Sequence, residues 1–499
     1  IPIGGGSVAV NAASNCAGGK YLSGTVVTLT AVANPGYAFA LWSGEASGAA
    51  KQTSITMSAN RSVTAVFSPA GSFGSWAGSV SIFSDRAVVA VARPHVGAEV
   101  ASYDGVSAGS LTAYAPMLFK NTWGSYNAAL YVQNLDVTHT ASINVKFYDS
   151  AGTLTCSMPD TIAPLASKGY WVPGEACLPA GWVGGAVITS DYPIVTVSRP
   201  HVGAQVMTYN GFSSGSLTSY LPMLFKDSFG GSYDSAFYVQ NVNSTHTATL
   251  LIKFYDSNGN LSCTLPDTVA PLASKGFWVP GQTCLPAGWV GGAVVTSNYN
   301  IVTIGRVHVA EEVTSYSGFS GGGTSMYVPM LFKNSFGGSY NSAFYVQNID
   351  TTHTATISIK FYDTAGNLSC TLPDTVAPLA SKGWWVPSES CLPVGWVGGA
   401  IVTSDYPIVS VGRPHVGSQV TTYPGIGGGG TNLYLPMLFK NMWSTYNSAF
   451  YIQNTDAVNP AGVILKFYDQ DGKLSCTRSG TIPALATLGY WVPSVTCDP

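Results

Sequence analysis

The sequence predicts an all-β chain of tandem Ig-like β-sandwiches, and three observations carry that prediction. A long motif recurs four times at a period of 106 or 107 residues, the size of one immunoglobulin-like sandwich and too long for a solenoid repeat. Inside each copy the apolar runs are short, β-branched or aromatic, and roughly alternate in polarity. No segment shows a helical period with caps.

The elements of a copy follow in order. The string PMLFK starts at Pro116, Pro222, Pro329 and Pro436, and YVQN follows at Tyr131, Tyr238 and Tyr345, with YIQN at Tyr451. KFYD begins at Lys146, Lys253, Lys360 and Lys466, then come a cysteine, a KGxW-like stretch and a second cysteine. GWVGGAVVTS and a PIV run ending in RPHVG complete the copy. About seven strands are expected, separated by turn signals such as Asp256-Ser-Asn-Gly259.

Composition bounds the function. A chain of 499 residues should hold several domains. With 46% apolar residues and a net charge of −3 it can bury ample core and is not a disordered chain. Its 21 basic residues are scattered singly, so no nucleic-acid partner is expected. Without a run of 18 apolar residues, no membrane span is expected either.

Eight of nine cysteines pair at a separation of 21: Cys156/Cys177, Cys263/Cys284, Cys370/Cys391 and Cys476/Cys497. Zinc spacing is absent, and regular pairs in an exported chain read as disulfides, each contributing about 3 kcal/mol by loop closure. Cys16 is left over. A start at Ile1 without methionine or leader adds the expectation that a secretion signal has been removed. The expected location is extracellular, at the cell surface.

Residues 1–69 differ from the copies. They carry GTVVTLTA at 24–31, GYAF at 36–39, Trp42-Ser-Gly44, ITM at 55–57 and SVTAVF at 62–67. In that order these motifs resemble the bacterial InlB B-repeat-like module, which implies a small divergent β-grasp domain of surface proteins. Members of that family often carry a cysteine pair near the first turn, where this chain has only Cys16. Residues 75–499 resemble tandem cell-surface modules of the LP…VQN…YYD…GSAVVTS…PI type, which implies surface location and no particular chemistry.

The phase of the repeat is the most informative feature. If a copy runs from PMLFK to RPHVG, then 115–207, 221–314 and 328–421 are complete sandwiches. Residues 434–499 then form an incomplete fourth, and its missing strands appear in 70–105 as an orphan half-copy. The junctions support that phase: the stretch from His201 to Pro222 is Gly/Ser-rich and varies most among copies, as domain linkers do. An incomplete sandwich exposes a groove that a strand in trans could fill, and a head-to-tail contact of that kind builds rings or filaments.

The expectation is therefore a structural filament subunit whose partners are copies of itself, with residues 75–97 completing 434–499 of the next subunit. The interface would use Trp76, Val80, Ile82, Val88, Val89, Val91, Arg93 and His95 on one side. Met437, Phe439, Tyr451, Phe467 and Trp491 would form the other. Two alternatives stay open: the opposite phase, giving four intact beads, and closure within one chain as a compact ring. The alternative function is a monomeric adhesin or glycan-binding surface protein.

Catalysis and cofactors are not expected. Gly105-Val-Ser107-Ala-Gly109 and its counterparts at Ser213 and Ser320 match a serine-hydrolase pattern, but no helix follows them and the fourth copy has Gly427 instead. The histidines fall at two repeat positions, His95/201/308/415 and His139/246/353, without companion carboxylates at metal-binding spacing. Loops at Asp149, Asp256, Asp363 and Asp469 offer too few oxygens for calcium. Arg93, Arg199, Arg306 and Arg413 are expected to pair across joints between copies. The 39 tyrosines and tryptophans invite glycan stacking, although recurrence at strand positions such as Trp171, Trp278, Trp385 and Trp491 favours packing.

Overall fold

A computed structural model describes residues 6–34, 37–46, 51–69, 75–443 and 445–498. The opening residues 1–5, Pro35-Gly36 of the GYAF motif, the join at 70–74 and Pro499 lie outside them. The described chain is all-β and forms two units, one built mainly on the amino-terminal residues and one on the four copies.

The amino-terminal module has strands Gly6–Val10, Thr25–Ala33, Tyr37–Gly44, Gln52–Met57 and Val63–Pro69. The first, second and fourth form one sheet; the third and fifth form another. Alternation along Thr25–Ala33 sends Val27, Leu29 and Ala31 into a core with Trp42, Ala65 and Phe67, and leaves Val26 and Val32 in solvent.

Each copy folds as one curled sheet. In the first, strands Ser110–Lys120, Tyr126–Asn134, Ala141–Asp149, Leu154–Ile162 and Ser167–Trp171 gather around a 21-residue strand, Trp182–Val202. The first half of that strand pairs with Ala141–Asp149 and Ser110–Lys120, the second half with Tyr126–Asn134 and the short Tyr209–Asn210. The two halves thus serve the two layers of a sandwich.

GWVGGAVVTS and the PIV run, expected as two strands, form one. The Asp191 carboxylate accepts the Ser142 amide at 2.7 Å and holds the midpoint extended. Asn298, Asp405 and Asp85 do the same for Thr249, Thr356 and Gly462.

All four expected disulfides are present: Cys156–Cys177, Cys263–Cys284, Cys370–Cys391 and Cys476–Cys497, with Cα separations of 5.3–5.7 Å. The two ends of each bridge differ in environment. Cys156, Cys263, Cys370 and Cys476 are buried on a strand, whereas Cys177, Cys284 and Cys391 are exposed and Cys497 is half-buried, all in the loop after the KGxW strand. As staples of the sandwich they are therefore peripheral. Each pins a surface loop to one strand and does not tie the two layers together through the core, which apolar packing already fills. Cys16 is exposed and free.

The fourth sheet takes its long strand, Trp76–Val96, from the other end of the same chain. Phe439 lies opposite Ala77, Tyr451 opposite Val91 and Phe467 opposite Val80. The residues expected at a subunit interface do meet, and all are buried except the partly buried His95 and the exposed Trp491. In this single chain the strand that fills the groove is the chain's own amino-terminal one. The sequence encodes the register of this pairing but not which molecule supplies the strand. A donor tethered to its groove outcompetes a free one by effective concentration.

Cis pairing is available because the copies are arranged in a ring. Phe119 meets Tyr238 edge-to-face at 5.9 Å, as Phe225 meets Tyr345 and Phe332 meets Tyr451. Phe439 of the fourth copy then meets Tyr131 of the first at 6.3 Å. Gly152, Gly259, Gly366 and Gly472, all at positive φ, sit against the carbonyls of Pro271, Pro378, Ala484 and Pro164 so closely that no Cβ would fit. The last of these contacts, fourth copy to first, repeats the others.

The Gly/Ser-rich stretches expected as flexible linkers are linkers only in their second parts. Their first parts, Ser102-Tyr103, Thr208-Tyr209, Ser315-Tyr316 and Thr422-Tyr423, are fully buried and line the centre of the ring. Thr208 donates to the Ser102 carbonyl at 2.8 Å, Ser315 to Thr208 at 3.1 Å and Thr422 to Ser315 at 2.9 Å. Each tyrosine hydroxyl also grips its own copy's first strand, as Tyr103 does by donating to the Met437 carbonyl at 2.7 Å and accepting its amide at 3.0 Å. Near this axis Gln419 donates to Glu312 at 3.0 Å; burial and the facing Glu99 push the Glu312 carboxyl up to about 7.

Candidate ligand grooves

The joints between copies carry a site that recurs around the ring. A tight turn after each PMLFK strand places an aromatic side chain at positive φ: Trp123 at 43°, Phe229 at 51°, Phe336 at 50° and Trp443 at 44°. That region is costly for a bulky residue, yet these rings are 66%, 62%, 63% and 61% exposed. Behind each stands a tyrosine, with Trp123–Tyr126 at 5.2 Å, Phe229–Tyr233 at 4.7 Å, Phe336–Tyr340 at 4.8 Å and Trp443–Tyr446 at 5.0 Å.

The next copy supplies the opposite wall. Trp278, Trp385, Trp491 and Trp171 each meet the histidine of the RPH string edge-on, at 5.4, 5.1, 5.2 and 5.3 Å. Burial and the neighbouring arginine hold those imidazoles neutral, with His95 and His201 lowered to about 3 and His308 and His415 to about 4. The arginine sits between two rings that belong to different copies. Arg306 lies 5.7 Å from both Tyr126 and Tyr238, Arg413 5.3 Å from Tyr233 and 5.5 Å from Tyr345. Arg93 lies 5.3 Å from Tyr340 and 5.4 Å from Tyr451, and Arg199 5.6 Å from Tyr446 and 5.4 Å from Tyr131. The arginines therefore do bridge the joints, by cation–π contact.

The resulting grooves enclose about 500, 400, 820 and 430 Å³ in ring order from the first joint, within the range of small-ligand sites. One of the four, which joins the fourth copy to the first, exists only in the closed ring, and another uses Arg93 and His95 of the amino-terminal strand. Recurrence in the sequence favours packing for the Trp171 set, but the structure makes it the partly exposed wall of the groove. Sequence reasoning missed the Trp123 set, whose signal is a bulky aromatic recurring three residues after the PMLFK lysine in each copy.

The other motifs resolve into structure. Ser107, Ser213 and Ser320 lie exposed in loops. Asp149 caps its own turn, accepting the Ala151 and Thr153 amides at 2.9 and 2.8 Å. His139, His246 and His353 stack on Tyr192, Tyr299 and Tyr406 at 4.9, 4.9 and 4.6 Å. Among the described residues no three His, Cys, Asp or Glu side chains are grouped to hold a metal, and no helix is long and apolar enough to cross a membrane.

Residues 2–71 match the family model of the divergent InlB B-repeat domain, in agreement with the motif reading of that segment. No curated protein matches the chain. Among solved structures, Thermotoga maritima 1070 is similar at 17% identity over 22% of this chain and 97% of its own, with a TM-score of 0.19. A tetra-tandem repeat from the extending region of a large adhesion protein is similar at 12% identity over 88% of this chain and 100% of its own, with a TM-score of 0.11. The surface-repeat module together with the disulfides fits an extracellular protein.

Proposed function

We propose that the chain is a non-catalytic extracellular adhesive protein, a ring of four sandwiches that presents four equivalent grooves to surface glycans. The observation that carries this reading is the set of aromatic rings held in solvent at positive φ, once per joint. Four bulky side chains in a strained, exposed conformation serve no core, and aromatic faces are what pyranose rings stack on. Fourfold display adds avidity on a repeating polymer. The amino-terminal module supplies surface association, and the disulfides hold one surface loop of each sandwich in place in an oxidising exterior. Saturable binding of the full chain to a polysaccharide panel, lost when Trp123, Phe229, Phe336 and Trp443 are changed together to Ala, tests it. Equal binding by that variant would sink it.

A second reading, the head-to-tail filament, draws support from one observation: the long strand of the fourth copy and its acceptor are far apart in sequence. Opening the ring would turn the same pairing outward and leave only three joints per chain. A concentration-dependent mass by light scattering, rising in steps of one chain, supports this reading; a monomer mass at every concentration excludes it.

A further inference from the structure

The groove floors raise a question of charge. Arg93, Arg199, Arg306 and Arg413 are 5%, 6%, 7% and 6% exposed, and each lines its groove. None has a carboxylate partner among the ion pairs of the described residues. Nε of all four is buried without a hydrogen-bond partner, as is Nη1 of Arg93, Arg199 and Arg413. Arg306 reaches the Tyr238 hydroxyl with Nη1 at 3.3 Å, and Arg413 also hydrogen-bonds Tyr345. Buried guanidinium groups are ordinarily paired, because desolvating a lone cation is costly. The flanking tyrosine faces offset part of that cost but are not a counter-ion.

The surrounding charges do not supply one. Lys275, on the rim of the first groove, is a second cation, and the Asp267 carboxylate is paired with it at 2.6 Å. Asp363, on the rim of the third, spends its Oδ1 on the Ala365 and Asn367 amides of its own loop at 2.8 Å. The neighbouring histidines carry no charge at neutral pH. Each groove is thus a cation at the base of an aromatic cleft, repeated four times with the negative charge missing.

We propose that each joint groove takes a carboxylated pyranose, its carboxylate against the arginine guanidinium and its ring face against Trp123, Phe229, Phe336 or Trp443. This rests on the glycan-binding reading above and narrows it to acidic sugars. Planar guanidinium suits a carboxylate better than any other cation of the chain, and the aromatic wall discriminates a sugar from a bare anion. Uronic and sialic acids share this chemistry.

Titration calorimetry of the full chain with sodium glucuronate, N-acetylneuraminic acid, glucose and acetate tests it. The expected result is an acidic sugar bound at up to four sites per chain, at least tenfold tighter than glucose or acetate and weakened by added salt. Which acidic sugar binds identifies the source. Trp123→Ala, on an exposed side chain, should remove one site of four with the melting temperature unchanged. Arg306→Gln should remove the same site, and Arg306→Lys should keep part of the affinity. Glucose binding as tightly as glucuronate would overturn the acidic assignment and leave the glycan reading standing. Acetate binding as tightly would overturn the pyranose assignment, and no binding by any probe would overturn both.

Discussion

The first three copies and the fourth have the same strand register and the same tyrosine clamp, but only the first three are covalently continuous. The composite copy also lacks contacts the others have. Lys168, Lys275 and Lys382 pair with Asp160, Asp267 and Asp374 at 2.6–2.7 Å, whereas Leu488 and Gly480 stand at those places. The Ser167, Ser274 and Ser381 hydroxyls donate across a joint to the Pro436, Pro116 and Pro222 carbonyls; Thr487 Oγ1 has no partner. His139, His246 and His353 stack on tyrosines, and Asn459 and Arg86 replace that pair. Exposed ion pairs contribute little, but an orphaned buried hydroxyl costs about 1–3 kcal/mol. The difference teaches that ring closure is set by strand register and core filling, and that the composite copy is where the ring opens first.

The largest way to break the comparison is Val91→Pro. Val91 is fully buried in the strand centre, opposite Tyr451 and Asp104, and proline cannot donate to the ladder there, a position where it is not tolerated outside edges and bulges. The fourth copy should lose amide protection while copies one to three keep theirs, and the radius of gyration should rise. Uniform loss across all four copies would mean the copies do not fold separately.

A smaller effect is expected from acid. The four RPH histidines have folded pKa values of about 3 to 4 against an ordinary 6.5, so the unfolded chain binds more protons below 6.5. Their contribution is complete above 6.5 and is lost as pH falls toward 4. Glu312, raised to about 7, works the other way, stabilising the fold as pH falls from 7 toward 4.5. The Glu99, Asp104, Glu175 and Glu389 carboxyls, also raised by burial, act in the same sense as Glu312 and partly offset the fall in melting temperature from pH 6.5 to 4.5 that the histidines cause. The double variant His308→Gln, His415→Gln should flatten that fall; an unchanged slope would contradict the burial of these imidazoles.

The smallest effect sharpens the comparison. Thr487→Ser restores the hydroxyl geometry of the other three copies toward Pro329 and should add about 1 kcal/mol, read as a higher melting temperature. The same exchange reversed, Ser274→Thr, should lower it.

Much of this molecule is legible in its sequence because repeated residues report repeated environments. The period and the cysteine pairs follow from repeat spacing, and the KFYD and YVQN strands from local alternation. So does the fit of residues 75–97 to 434–499, since Val80, Ile82 and Val91 copy the apolar pattern of the other long strands. Other features are not legible. Spacing pairs Cys156 with Cys177 but cannot tell that the bridge ends in a surface loop, because that depends on how the loop packs. Asp191 and its counterparts look like turn residues, and only the opposed Ser142 amide, remote in sequence, turns them into strand supports. The hydroxyl–tyrosine pairs inside Gly/Ser-rich stretches read as linker because their burial depends on three other copies around an axis. The grooves share that origin: Trp123 and Arg306 acquire a common purpose only across a joint.

The central claim, that the amino-terminal strand completes its own chain, is tested most directly by isotope-mixed cross-linking. Phe83 and Ile464 lie opposite each other on paired strands, so Phe83→Cys, Ile464→Cys in a Cys16→Ser background should form a disulfide. Unlabelled and ¹⁵N-labelled chains are unfolded, refolded together and oxidised, and the joined peptides are weighed. Cis closure predicts only light–light and heavy–heavy pairs. Mixed light–heavy pairs at the statistical fraction would contradict it and return the chain to a head-to-tail assembly.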